Sequence, residues 1–131
     1  MPKPTDGPSC VHNLEIWRQG VDLVKQVYEL TRTWPKGESY GLTGQVRRAA
    51  VSVPSNLAEG IGRGTPAEMA RFSRIALGSL YELDTLFEVA RELGIQDQPS
   101  LAGLRKRLSD LTRGVAGFIR YQKKQLVDCN S

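Results

Sequence analysis

The chain contains very little histidine and cysteine, the residues on which many catalytic and metal sites depend. His12 is the only histidine, and the two cysteines, Cys10 and Cys129, lie near opposite ends of the 131 residues. So few ligands argue against a zinc site or a histidine-based catalytic dyad, and we expect no metal and no cofactor. Chain ends are often close in space, so a disulfide is conceivable. In a cytoplasmic protein, however, two free thiols are the expected state.

Long apolar runs are also absent. No segment approaches the roughly 18 apolar residues that a membrane-spanning helix needs. Residues 1–11 lack the apolar core of a secretory signal. We therefore predict a disordered leader over residues 1–11, a tail over 126–131 and a single cytoplasmic domain over 12–125, without membrane contact. The apolar fraction of 40% and the charged fraction of 24% are typical of a globular protein.

Acidic residues are almost missing from one part of the chain. Residues 101–125 contain seven Lys or Arg residues and a single acid, Asp110, which gives this segment a charge of +6 within a total of +4. The rest of the chain therefore sums to −2. The basic character belongs to one C-terminal segment and is not a general property of the protein.

The chain does have apolar residues at helical spacing in four segments, and no useful stretch alternates with a period of two. The four predicted helices span residues 12–34, 42–61, 66–93 and 101–125. We expect each of the last three to bury one stripe, which consists of Val46, Ala50, Val53, Leu57 and Ile61 in the second helix, Met69, Phe72, Ala76, Leu80, Leu83, Phe87 and Ala90 in the third, and Leu101, Leu104, Leu108, Leu111, Val115, Phe118 and Gln122 in the fourth. Thr65 and Glu68 have the spacing of a capping box, and Gly94 is expected to end the third helix. Because the connections are short, we predict an all-α, antiparallel up-down-up-down four-helix bundle.

The first helix has two apolar stripes. The first consists of Leu14, Trp17, Val21, Val24 and Tyr28, and the second of Ile16, Leu23, Val27, Leu30 and Trp34. Two stripes need two burial partners. We expect the first stripe to face the core of the domain and the second to face a neighbouring subunit.

Two runs in the middle of the chain carry a family resemblance. They read QVRRAAVSVPSNLAEG over residues 45–60 and ALGSLYELDT over 76–85. With the first helix, they resemble the bacterial four-helix-bundle family named for the 23S ribosomal RNA intervening sequence, over about residues 12–122. This resemblance implies a barrel-like homopentamer with a central channel. It also implies a relation to the accessory variability protein of diversity-generating retroelements, a basic pentamer that binds reverse transcriptase and nucleic acid.

The second helix carries a polar stripe whose role has two interpretations. It consists of Arg48, Ser52, Asn56, Glu59 and Arg63, with Gln45 and Ser55 beside it. In one, Asn56 and Glu59 form a polar site lining a groove or channel. In the other, which we prefer, Glu59 pairs with Arg63 while Asn56 and the serines hydrogen-bond backbone or a neighbouring helix. Gly60, Gly62 and Gly64 similarly suggest left-handed turn positions rather than a phosphate cradle, because no strand precedes them.

The basic fourth helix is the main functional indication. Its candidate nucleic-acid-binding residues are Arg105, Lys106, Arg113, Arg120, Lys123 and Lys124. The leading hypothesis is a non-catalytic scaffold that binds nucleic acid, structured RNA above all, without reading its sequence, since aromatic residues on this helix are few. One alternative pairs the cations with Glu82, Glu88 and Glu92 of the third helix. Another is an adaptor that contacts a protein such as a reverse transcriptase. Catalysis has little support because the acids are scattered.

Overall fold

The structure is a computed structural model that describes the backbone of residues 8–38 and 41–130 and the side chains of 14–38 and 41–127. It contains four α-helices: α1 (Pro8–Thr31), α2 (Leu42–Arg63), α3 (Pro66–Glu92) and α4 (Gln98–Asn130). A short 3-10 turn, Lys36–Glu38, precedes α2. The described residues include no strand, so the all-α prediction is confirmed.

Both terminal helices extend closer to the chain ends than the sequence predicted, whereas α1 ends at Thr31, three residues before the predicted end at 34. Helix α1 begins at Pro8, inside the predicted leader 1–11, and residues 1–7 lie outside the described residues. Helix α4 continues to Asn130, through most of the predicted tail 126–131. The side chains of Cys10, His12 and Cys129 lie outside the described residues, so the free thiols stay a prediction.

The helix boundaries follow from local hydrogen bonds. Thr65 caps α3 as predicted, because its hydroxyl accepts the backbone N–H of Glu68 at 3.2 Å. Asp97 does the same for α4: its carboxylate accepts the N–H of Ser100 at 2.8 Å, so the helix starts three residues before the predicted Leu101. Hydrogen bonding with the Ser100 side chain, and then with its backbone N–H, also lowers the pKa of the Asp97 carboxyl group.

Only some of the glycines end helices. Gly64 and Gly94 adopt positive φ angles of 78° and 72°, so the prediction for Gly94 is confirmed. The prediction that Gly60 and Gly62 also supply left-handed turns is wrong, because both lie inside α2. Gly60 is buried and lets α3 approach closely: an added Cβ would lie 3.1 Å from the Phe72 Cβ.

The four helices form a bundle in which each helix contacts the next along the chain and α1 also contacts α4. The predicted inward stripes of α2, α3 and α4 are buried as expected. The fully buried core includes Val46, Val53, Leu80, Leu83, Phe87, Leu101 and Val115. Gln122, at the end of the α4 stripe, is also buried.

The prediction of which α1 stripe faces the core of the domain is wrong. Ile16, Leu23 and Val27, from the stripe expected to meet a neighbouring subunit, lie in the core of the domain. In the other stripe, Trp17 is partly buried and Tyr28 remains 42% exposed. Both stripes have the same spacing, and only the positions of α2 and α4 determine which one is covered.

Candidate nucleic-acid interface

The six candidate cations lie on the outer side of α4. An α-helix turns by about 100° per residue, so these positions fall within one sector, away from the buried stripe. Lys106, Arg113, Arg120, Lys123 and Lys124 are exposed, and only Arg105 is partly buried. The seventh cation of this segment, Arg107, is exposed on the other flank, where it lines a cleft with Gln26 of α1.

Arg105 is held by carboxylates of α3. Its guanidinium lies 3.1 Å from Asp84 and 3.2 Å from Glu88, and its side chain is only 25% exposed. Burial alone would lower the pKa of Arg105, but the hydrogen bonds to the two carboxylates outweigh it and raise the pKa. Hydrogen bonds from Arg91, and then from Arg105, lower the pKa of Glu88 to about 2. Arg105 therefore connects two helices and is a poor candidate for binding phosphate.

The predicted pairing of the basic helix with α3 is thus limited to one cation. Among the described residues, Glu88 pairs with Arg105 as expected and Asp84 joins it, whereas Glu92 pairs with Arg91 at 2.9 Å and not with α4. No ion pair joins Glu82 to α4 within the same residues. Most of the positive charge on α4 is therefore not neutralised by the neighbouring helix.

The remaining cations are accessible. Arg113 pairs with Asp110 and hydrogen-bonds Ser109 at 3.0 Å, yet its side chain is 70% exposed. Lys106, Arg120, Lys123 and Lys124 form no ion pair within the described part of the chain. Beyond Asp110, the described side chains of α4 include no acid. The C-terminal half of the helix thus presents positive charge to solvent.

A groove between α3 and α4 adjoins this charge. It measures about 380 Å³, and its lining residues are Leu80, Tyr81, Asp84, Arg105, Leu108, Ser109, Thr112 and Arg113. Tyr81 was not among the residues predicted from the sequence, because only aromatic residues on the fourth helix were considered there. Arg74 was not predicted either; it is exposed on the same face of α3 as Tyr81, two turns nearer the start of the helix. Arg74 and Tyr81 are seven residues apart and lie outside the apolar stripe, and this spacing could have predicted from the sequence that they share an outer face of α3.

The polar stripe of α2 is engaged in contacts between and within helices. Asn56 donates to the carbonyl and hydroxyl oxygens of Ser52 at 2.8 and 2.9 Å, and Ser79 of α3 donates to the same hydroxyl at 2.8 Å. Glu59 pairs with Arg63 at 3.1 Å, the contact expected in the structural interpretation. Arg48 is exposed and lines a shallow groove with Gln45, Ser52, Ser79 and Glu82.

Two further observations concern the described residues as a whole. They contain no group of three or more His, Cys, Asp or Glu side chains that could hold a metal ion. Within the same residues, no helix is both long and apolar enough to cross a membrane.

A comparison with protein families identifies the chain. The family model described as 23S rRNA-intervening sequence protein matches residues 12–117. The chain belongs to this family. A search of curated proteins finds no match.

The match to the 23S rRNA-intervening sequence protein family ends inside α4. Arg105, Lys106 and Arg113 lie within the matched residues, whereas Arg120, Lys123 and Lys124 lie beyond them. The match includes residues of all four helices. Three of the five exposed candidate cations lie outside it.

Proposed function

We propose that this member of the 23S rRNA-intervening sequence protein family is a non-catalytic, cytoplasmic, oligomeric scaffold that binds nucleic acid, structured RNA above all. The observation that carries the proposal is the set of cations on the outer side of α4 that have no acidic partner among the described residues. These are Lys106, Arg120, Lys123 and Lys124, with the largely exposed Arg113 beside them.

Such a surface suits phosphate binding for a simple physical reason. Each Lys or Arg that neutralises a phosphate releases a condensed counterion, which gives affinity that is independent of sequence and sensitive to salt. The helix rises about 1.5 Å per residue, so the stretch from Arg113 to Lys124 extends over roughly 16 Å. A rigid row of cations of this length can contact several phosphates along one backbone.

Assembly into a homo-oligomer forms part of the same proposal. Helices α2 and α3 are joined only by Gly64 and Thr65, which favours the antiparallel up-down-up-down order. The incompletely buried stripe of α1, including Trp17 and Tyr28, leaves apolar surface for a second copy to cover. A pentamer, as the resemblance implies, would gather five basic helices and strengthen their field.

The incompletely buried α1 stripe also supports a second candidate, a protein-binding adaptor. In that case the stripe, together with Val51 of α2, which is 40% exposed, would bind a protein partner such as a reverse transcriptase. The basic helix would then contact an acidic protein surface. Binding to RNA and its salt dependence separate the two candidates.

The test measures binding of a labelled RNA hairpin between roughly 50 and 200 mM salt. One variant replaces Arg120, Lys123 and Lys124 by Ala, and we expect the slope of log affinity against log salt to become shallower by about 2 to 3. The control variant loses the same charge at exposed positions elsewhere, through replacement of Lys25, Arg32 and Arg107 by Ala. Its slope should match that of the wild type.

Three outcomes would contradict the proposal. The wild type does not bind at low salt, the two variants behave alike, or the first variant keeps the full slope. If RNA binding is absent while sedimentation shows an oligomer, the adaptor is favoured. A monomer at micromolar concentration would contradict the assembly.

A further inference from the structure

An exposed aromatic residue, Tyr81, lines the groove between α3 and α4. Its side chain is 59% exposed, more than any other aromatic residue among those described. Its hydroxyl has no hydrogen-bond partner among the described residues, and only its backbone carbonyl, which accepts the Thr85 hydroxyl at 3.1 Å, is bound by a side chain. The aromatic ring is therefore available to a ligand. A single exposed aromatic residue is common, so its surroundings decide whether it has a role.

The groove around Tyr81 combines an apolar floor with polar groups. Leu80 and Leu108 are buried beneath it. Ser109 accepts a hydrogen bond from Arg113, which leaves the proton of its hydroxyl available for a ligand acceptor. The carboxylate of Asp84 is paired with Arg105 and repels a phosphate less than a free carboxylate would. A volume of about 380 Å³ lies within the range of small-molecule sites.

The charges around the groove are arranged with a direction. On one side of Tyr81 lie the carboxylates Asp84 and Glu88. On the other side lie Arg113, which lines the groove and pairs with Asp110, and then Arg120, which has no acidic partner among the described residues and lies roughly 10 Å further along α4. Helices α3 and α4 run antiparallel here, since Asp84 pairs with Arg105 while the earlier residue Tyr81 lies beside the later residue Arg113. Arg74, which precedes Tyr81 on α3, therefore lies toward the same end as Arg120. A bound polyanion would extend from Tyr81 toward the C-terminal end of α4.

From this juxtaposition we infer that Tyr81 stacks on an unpaired base of single-stranded nucleic acid, whose backbone then follows Arg113 and Arg120 along α4. This inference rests on the proposed function and specifies the part of the nucleic acid that is recognised. In a duplex the base faces are stacked on one another and are not available to a side chain. Stacking on an aromatic ring is tolerant of sequence because every base has a π-face.

The experiment compares a labelled oligouridylate with an oligonucleotide of the same length that lacks bases. We expect the wild type to bind the oligouridylate about 5- to 140-fold more tightly, the effect of one stacked base. Tyr81→Ala should lose this preference and keep its salt slope, while Tyr81→Phe should retain the preference. Tyr121→Ala is the matched control, since Tyr121 is 40% exposed and does not line the groove.

Each contrary result has a distinct meaning. Equal binding of the two oligonucleotides with a normal salt slope, or an unchanged preference in Tyr81→Ala, overturns the stacking inference and leaves the proposed function standing. Equal weakening of both oligonucleotides by Tyr81→Ala also overturns it. If the wild type binds neither oligonucleotide nor the RNA hairpin, the proposed function fails as well.

Discussion

Replacement of Gly60 by Ala tests the close contact between α2 and α3. An added Cβ at Gly60 would lie 3.1 Å from the Phe72 Cβ, 3.2 Å from the Met69 Cα and 3.3 Å from the Glu68 carbonyl oxygen. Two of these three atoms belong to the backbone of α3, so they cannot move without shifting the helix. The preferred separation between carbon atoms is about 3.5 to 4.0 Å. The methyl group therefore requires α3 to move by several tenths of an ångström.

Two opposing effects set the size of the change in stability. Overpacking in a core destabilises by about 1 to 3 kcal/mol, and a contact with backbone should lie near the upper end. Replacing Gly by Ala in a helix interior contributes about 1 kcal/mol in the opposite direction. We expect Gly60→Ala to lower the free energy of unfolding by about 1 to 2 kcal/mol.

Gly62→Ala is the matched control. Gly62 lies in the same helix two residues further on, is exposed, and has no atom within 4 Å of an added Cβ. This variant should gain about 0.5 to 1 kcal/mol from helix propensity alone. Urea unfolding followed by circular dichroism, at one protein concentration, measures both. If Gly60→Ala gains as much stability as Gly62→Ala, the account of this contact is wrong.

Two further predictions concern hydrogen bonds and ion pairs. Ser52→Ala should lower the free energy of unfolding by about 1 to 2 kcal/mol, because it removes the hydroxyl that accepts hydrogen bonds from both Ser79 and Asn56. Ser79→Ala removes only one of these bonds and should have a smaller effect. Equal losses of stability in urea unfolding would contradict this prediction. Because the pKa of Glu88 falls from 4.5 to about 2 in the folded protein, its stabilisation is present above pH 4.5 and is lost as the pH falls toward 2. In Glu88→Gln, stability should depend less on pH in this window, and added salt should reduce the difference from the wild type.

Most of the fold could be predicted because helical spacing identifies which residues are buried together. On α3, the stripe that includes Phe72, Leu80 and Phe87 is buried as predicted, and Thr65 and Gly94 have their expected roles at its ends. The exception is α1, whose two stripes have the same spacing. Spacing shows that a stripe is apolar but gives no information on which of two stripes meets the other helices. That choice depends on how the bundle assembles.

For the candidate site, only the concentration of positive charge on the fourth helix could be predicted from the sequence. The sequence shows that the cations are concentrated between Arg105 and Lys124, but the engagement of Arg105 by Asp84 depends on the register between α3 and α4. The position of Tyr81 beside Arg113 depends on the same register. A one-dimensional pattern does not determine which turns of two helices lie side by side, so sequence reasoning could not separate structural cations from accessible ones.

The end of the family match at residue 117 does not coincide with a structural boundary. Helix α4 continues to Asn130, and beyond the match Phe118, Ile119 and Gln122 are buried against the other helices. The same turns carry Arg120 and the two lysines after it on their exposed side. Truncation of the chain after residue 117 would therefore remove buried core residues together with the exposed cations. Because the two sides of one helix are separate, outward substitutions can alter the charge while the core stays intact. Three of the five exposed cations of the proposed binding surface, Arg120, Lys123 and Lys124, thus lie beyond the family match, on outward positions of a helix that the core holds in place.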